Sequence, residues 1–187
     1  MKTVFVDVDT QFDFILPAGA LYAPGAEKIL PLVSALNQYA GANGIPLIST
    51  VDAHTENEAE FRHWHPHCVA GTLSQQKPAS TLLGKRAVNE RAAGVQQIIV
   101  EKRSYDPFTN PKFAAILDEL GGERCVVYGL VTDICVKYAA EGLLKTGRRV
   151  ELVEDAVCAI DEAAARAFRE RFVAGGGVVT NAAAVIG

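Results

Sequence analysis

The sequence predicts a three-layer α/β/α sandwich built on a mostly parallel, six-stranded sheet. Short runs rich in β-branched residues recur along the chain without strict polar–apolar alternation, as expected for strands buried on both faces of a parallel sheet. Segments with helical spacing separate these runs, which is typical of parallel α/β folds. The length of 187 residues suits a single domain spanning residues 1–187.

Six runs are predicted to form the strands, and each is short and largely apolar. They are TVFVDV (3–8), PLISTV (46–51), QQIIVE (96–101), RCVVYGL (124–130), RVELVE (149–154) and GVVTN (177–181).

Four intervening segments have the spacing of amphipathic helices. The first places Ile29, Val33, Leu36 and Ala40 on one stripe. The second, residues 110–122, begins with an asparagine cap and a proline in the first turn. The third and fourth, residues 132–147 and 161–176, end at glycines. The irregular region from 53 to about 92 is too long for a mere connection, which indicates a functional loop.

Net charge, the length of apolar runs and cysteine spacing argue against several classes of protein. A net charge of −4 gives no reason to expect nucleic-acid or anionic-membrane binding. No apolar run approaches the ~20 residues that span a bilayer, and acidic residues appear too early for a signal peptide. The cysteines form no CxxC pair and no dense disulfide framework, so we expect reduced thiols and a cytoplasmic location. They are Cys68, Cys125, Cys135 and Cys158.

Polar and reactive side chains cluster at the ends of four predicted strands. In an open parallel sheet, ligands bind at the carboxyl ends of the strands, near the point where strand order reverses. The sequence therefore predicts an active site at this edge. The residues are Asp7, Asp9 and Asp13 at the first strand, Asp52 and His54 at the second, Lys102 at the third, and Thr132, Asp133 and Cys135 at the fourth.

Cys135 is the candidate nucleophile, because it lies where a strand turns into a helix. Unpaired N–H groups and the helix dipole favour an anion there, so we expect the thiol pKa to be lowered, and lowered further by Lys102. The same N–H groups could stabilise an oxyanion. Asp9 could accept the thiol proton and pass it to a leaving amine. The alternative is that Cys135 is a small buried residue packing a helix.

Two segments carry potential metal ligands. In DAH (52–54), Asp52 and His54 point to the same side of an extended strand end, which forms half a divalent-metal site. The segment FRHWHPHCVAGT (61–72) holds three of the four histidines, with Cys68 beside the last. Its Pro66 makes a regular central strand unfavourable.

Five segments, in chain order, resemble motifs of the isochorismatase-like cysteine hydrolases and, within them, the nicotinamidases. They are DTQFDF (9–14), DAH (52–54), WHPHCVAGT (64–72), EKRSYDP (101–107) and GLVTDICV (129–136). Phe12 departs from the usual asparagine, and Ala53 from the usual aromatic residue.

The resemblance implies a triad of Asp9, Lys102 and Cys135, with a thioester formed on the cysteine. It also implies a cis peptide bond between Leu130 and Val131, which would turn the Val131 N–H toward the oxyanion beside that of Cys135.

The resemblance further implies one divalent metal ion and no organic cofactor. Asp52, His54 and His67 would be ligands. Glu60 is preferred as the fourth over Glu56, Glu58 and His63, since it lies seven residues before His67. Zn²⁺ is the first choice, with Mn²⁺ and Fe²⁺ as alternatives. His65 is expected at the mouth or in solvent, and Cys68 as a packed thiol.

Phe14, Trp64 and Tyr105 match positions that wall an aromatic substrate in nicotinamidases. The leading hypothesis is hydrolysis of nicotinamide, and also of pyrazinamide, in a homodimer or larger homo-oligomer. One alternative keeps the triad but acts on another small amide or ureido compound, and the remote alternative is a binding domain without catalysis. A true isochorismatase is disfavoured, because it would need no cysteine nucleophile.

Overall fold

The computed structural model describes residues 1–187 and contains one seven-stranded sheet. The strands are β1 (Thr3–Val8), β2 (Leu47–Asp52), β3 (Arg86–Val88), β4 (Gln97–Lys102), β5 (Arg124–Leu130), β6 (Arg149–Cys158) and β7 (Val178–Thr180). Their order across the sheet is β3-β4-β2-β1-β5-β6-β7, and every neighbouring pair is parallel. The expected α/β class with a parallel sheet is confirmed.

The expected number of six strands is wrong, because β3 adds a seventh at one edge of the sheet. This strand has only three residues, and two of them are exposed. It pairs with β4 on one side alone. A short, exposed edge strand needs no apolar run, so the pattern that marks the other strands is missing from it.

Six α-helices accompany the strands. They are α1 (Phe12–Ile15), α2 (Leu30–Ala42), α3 (Pro111–Leu120), α4 (Lys137–Lys145), α5 (Glu162–Ala174) and α6 (Ala182–Ile186). Side-chain caps begin three of them. Asn110 accepts the Lys112 N–H, Asp161 accepts two N–H groups at the start of α5, and Asn181 accepts the Ala184 N–H in α6. The short helices α1 and α6 lack the repeated apolar stripe by which sequence reveals a helix.

Helices cover both faces of the sheet, and successive residues of each strand face opposite layers. Val4, Val6 and Val8 of β1 pack with α3, α4 and α5 in one core. Phe5 packs with α2 in the other. None of the helices combines the length and apolar character that crossing a bilayer requires.

Strand order reverses at β1, and this reversal positions the site. From β1 the chain runs to β2 on one side, and after β4 it crosses to β5 on the other. The carboxyl ends of β1 and β5 therefore border a crevice. Gly129 allows close approach there: its φ is +115°, and a Cβ would lie 2.1 Å from the Val8 carbonyl oxygen.

Candidate active site

Lys102 lies at the centre of the polar cluster at the carboxyl edge of the sheet. Its side chain is fully buried, and its Nζ lies 2.8 Å from Asp9 Oδ2 and 3.7 Å from Cys135 Sγ. It also donates a hydrogen bond of 2.5 Å to Asp52 Oδ1. The structure thus brings the three predicted triad residues together. It adds a contact that the sequence did not indicate, because Asp52 was expected to face only a metal.

Asp9 is held in a constrained backbone conformation immediately after β1. Its φ is +48°, in the left-handed region that residues with a side chain rarely adopt. Its N–H donates to the Thr50 carbonyl (3.1 Å), and its Oδ1 accepts the Thr50 hydroxyl (2.7 Å). Its other oxygen, Oδ2, forms the ion pair with Lys102 without hydrogen-bond geometry. Thr50 and Lys102 therefore set the direction of this carboxylate.

The nucleophile candidate lies in a π-helical turn, Thr132–Val136, between β5 and α4. The Leu130–Val131 peptide bond is cis, as the resemblance implied. The Val131 carbonyl accepts N–H bonds from Ile134 and Val136, both at 3.1 Å, which close the turn. Cys135 is 6% exposed, and both it and Val131 line a cavity.

The charge state of Cys135 differs from the expectation. Burial raises the pKa of its thiol well above the usual range, and the Asp9 and Asp52 carboxylates raise it further against the opposing charge of Lys102. The expected lowering is wrong, because the turn is buried beside two carboxylates. Burial likewise raises the pKa of Asp9. The raised pKa of Cys135 favours its thiol form. The raised pKa of Asp9 makes its carboxylate a stronger base for the thiol proton.

Asp52, His54 and His67 form a second, adjoining cluster. One ligand atom from each lies within 4.8 Å of the other two, and all three residues are buried. Neither ring nitrogen of His54 has a hydrogen-bond partner, although the residue is 0% exposed. A buried imidazole without partners is costly unless it has a ligand. The donors of this cluster therefore fit a divalent cation.

The ring of His67 is also oriented to bind a cation. Its Nδ1 lies 2.8 Å from the His65 carbonyl oxygen, which can only accept a hydrogen bond. Nδ1 of the neutral ring must then carry the proton, which leaves the Nε2 lone pair free for a ligand. Burial lowers the pKa of His67, so the neutral ring is favoured.

Of the candidates for a fourth ligand, only Glu60 lies beside this cluster. Its Oε1 is 3.7 Å from His67 Nε2, and burial and the Asp52 charge raise its pKa. Glu58 instead pairs with Arg103, and Glu56 and His63 are exposed.

The two remaining residues of the histidine-rich segment also lie as expected. His65 is exposed, and Cys68 is a fully buried free thiol.

A small cavity opens onto Cys135. The predicted wall residues Phe14, Trp64 and Tyr105 all line it, and Trp64 Nε1 donates to the Tyr105 hydroxyl at 3.0 Å. Sequence analysis missed three apolar members of the lining: Leu21, Ile134 and Ile160. Ile134 stands inside the nucleophile motif, whereas the other two lie in irregular segments without a pattern.

Two polar residues outside the predicted triad and metal-ligand set hold the site together. The Gln11 side chain bonds both the N–H (2.7 Å) and the carbonyl (2.8 Å) of Asp52. Asp133 accepts the N–H groups of Ile160 (3.0 Å) and Asp161 (3.2 Å). It thereby fastens one wall of the cavity to the turn that carries Cys135. Gln11 lies in the motif DTQFDF and Asp133 in the motif GLVTDICV. Membership of these motifs was the sequence signal that could have identified them.

Comparison with known proteins shows the family of this chain. A family model of the isochorismatase domain matches residues 3–184. The nicotinamidase of Acinetobacter baylyi is 26% identical over 182 residues, covering 84% of this chain and 81% of that protein. The crystal structure of Pyrococcus horikoshii pyrazinamidase in complex with zinc has a TM-score of 0.85 and 28% identity, covering 97% of this chain and 99% of that one. N-carbamoylsarcosine amidase from Thermoplasma acidophilum has a TM-score of 0.81 and 27% identity, covering 97% of both chains. The chain belongs to the isochorismatase family of hydrolases.

Proposed function

We propose that this protein is a metal-containing cysteine amidohydrolase that converts nicotinamide to nicotinate and ammonia. The observation that carries the proposal is the position of Cys135. It shares one buried cluster with Asp9 and Lys102, and the cavity it opens onto has aromatic walls and the Asp52 and His67 side chains in its lining.

In the first half-reaction, Asp9 takes the thiol proton as Cys135 Sγ attacks the amide carbon. The carbonyl oxygen becomes an oxyanion, which the N–H groups of Val131 and Cys135 would stabilise. Collapse of this intermediate breaks the C–N bond. Asp9 returns its proton to the leaving nitrogen, ammonia departs, and a thioester remains on Cys135.

In the second half-reaction, Asp9 deprotonates a water molecule that attacks the thioester carbon. The C–S bond breaks, the carboxylic acid leaves, and the Cys135 thiol is restored with the proton held by Asp9. Lys102 stays charged throughout: burial opposes its charge, but Asp52 and Asp9 outweigh burial and raise its pKa. Its role is to offset negative charge on the Asp9 carboxylate and on the Cys135 sulfur.

Asp52, His54 and His67, with Glu60 as a fourth donor, would hold the metal ion. A bound dication would supply a Lewis-acidic position for the pyridine nitrogen, which aims the carboxamide at Cys135. Zn²⁺ is the first candidate, supported by the zinc complex of the similar pyrazinamidase. Phe14, Trp64 and Tyr105 would pack against the planar ring of the substrate.

The cavity lining favours a neutral aromatic amide over a carboxylate-bearing ureido substrate. It contains no arginine or lysine. Lys102 already contacts two carboxylates. No cationic side chain is therefore available to a substrate carboxylate, although relatives acting on N-carbamoylsarcosine share the fold.

The test compares ammonia release from nicotinamide, pyrazinamide and N-carbamoylsarcosine. We expect turnover of the first two, and a loss of at least about 10³-fold in Cys135→Ala, because the nucleophile is absent. Cys158→Ala is the matched control and should keep its activity, since Cys158 does not line the cavity. Absence of turnover on both pyridine and pyrazine amides would refute the assignment, and Cys135-dependent turnover of the ureido compound alone would establish the alternative.

A further inference from the structure

A second set of potential metal donors overlaps the triad itself. One ligand atom from each of Asp9, Asp52 and Cys135 lies within 4.8 Å of the other two, and all three residues are buried. Asp9 is 0% exposed, and its Oδ2 contacts the Lys102 ammonium at 2.8 Å. Two carboxylates and a thiol so close together have the composition of a site for a thiophilic divalent cation such as Zn²⁺ or Cd²⁺.

The Lys102 ammonium stands in the position that such a cation would take. Its Nζ lies 2.5 Å from Asp52 Oδ1 and 2.8 Å from Asp9 Oδ2. Zinc–oxygen bonds are about 2.0–2.2 Å long, so the carboxylates would need to move only a little. Sγ lies 3.7 Å from Nζ. It would have to approach by about 1.4 Å to reach the usual zinc–sulfur distance.

We infer that Asp9, Asp52 and Cys135 form a latent site for a thiophilic divalent cation, and that Lys102 occupies it with its own ammonium. The lysine thereby keeps metal ions off the nucleophile. This function goes beyond the proposed offset of charge during amide hydrolysis, and it depends on the geometry of the cluster rather than on the substrate.

Protection of this kind matters because Asp52 belongs to both clusters. An ion held by His54 and His67 would share the Asp52 carboxylate with the donor set that contains Cys135. Capture by the thiol would release its proton to solvent and form a metal–sulfur bond, which would block attack on a substrate. A fully buried side chain that contacts two carboxylates is not easily displaced.

The experiment is a Cd²⁺ titration of wild type, Lys102→Met and the double variant Lys102→Met/Cys135→Ser. The measurements are metal equivalents bound and ultraviolet thiolate-to-metal charge-transfer absorption. We expect Lys102→Met to bind one equivalent more than wild type and to show the absorption. The double variant should lack the absorption, since it differs only in the sulfur. Wild type should also lack it.

The inference is overturned if Lys102→Met shows no sulfur-dependent absorption, or if wild type shows it with Lys102 in place. Because the absorption requires a thiolate ligand, the result is independent of whether the Asp52, His54 and His67 cluster, which contains no thiol, binds metal. If Lys102→Met is unfolded without metal, Cd²⁺ should restore its folded circular dichroism signal and thermal transition, but not those of the double variant. Failure to restore them also overturns the inference.

Discussion

At the scale of single residues, the site is a set of buried charges that depend on one another. Burial would raise the free energy of each isolated carboxylate, and Lys102 offsets two of them at once. The sequence correctly placed Asp9, Lys102 and Cys135 at strand ends. It could not reveal how deeply they are buried, and burial is what reverses the expected direction of the Cys135 pKa shift.

The three histidines of the segment 61–72 provide a residue-scale prediction. His67→Ala should lower the affinity for Zn²⁺ at least about tenfold, because His67 is a buried member of the donor cluster. His65→Ala is the control: its side chain is exposed, and it holds His67 only through its backbone carbonyl. Metal content after dialysis at fixed free zinc measures both. Loss of metal in His65→Ala with retention in His67→Ala would contradict this assignment.

At the scale of elements, the carboxyl end of β5 carries the tightest backbone constraint at the site. The pairing of β5 with β6 shifts register between Val127 and Gly129, just before the nucleophile turn. Close contact of Gly129 with β1 brings this turn beside Asp9. The motif GLVTDICV gave the order of these residues but not their contact with β1, because that contact joins segments about 120 residues apart.

Gly129→Ala tests this constraint. The new Cβ would combine an unfavourable positive φ with a backbone overlap at the Val8 oxygen, so we expect a loss of more than about 2 kcal/mol in the free energy of unfolding. Gly44→Ala is the matched control, with a φ of +64° and nothing within 4 Å of the Cβ. It should lose only about 1 kcal/mol. Equal losses in urea-induced unfolding would show that close approach to β1 is unimportant.

At the scale of the whole molecule, a second buried ion pair joins the long irregular region to the sheet. Lys77 Nζ lies 2.9 Å from Asp7 Oδ2, and both side chains are almost wholly buried. Asp7 also accepts hydrogen bonds from Asn37 (2.9 Å), Ser49 (3.1 Å) and Thr10 (2.7 Å). Asp7 is therefore fully engaged away from the triad, although the sequence grouped it with the acids of the active site.

Removing one partner of this pair should destabilise the fold. Lys77→Met leaves Asp7 buried without its counter-ion, and we expect a loss of about 3–5 kcal/mol in the free energy of unfolding. Asp7→Asn/Lys77→Met should recover most of that loss, since no unpaired charge remains. Arg171→Met is the control for an exposed pair, with Arg171 58% exposed beside Glu141, and should lose at most about 1 kcal/mol. A double variant no more stable than Lys77→Met would exclude this explanation.

The sequence by itself determined the α/β class, six of the seven strands, the order of the site motifs and the chemical types of the groups at the strand ends. These features follow from local periodicity and from residue chemistry, both of which can be read along the chain. Oligomeric state and location in the cell remain predictions.

Only the tertiary structure decided how Lys102 lies between two carboxylates and a thiol. It also separated Asp7 from the acids of the site and raised the pKa of Cys135 instead of lowering it. Each of these depends on burial and on distances between segments far apart in the chain. Local sequence encodes neither, because both arise when the sheet brings the strand ends together.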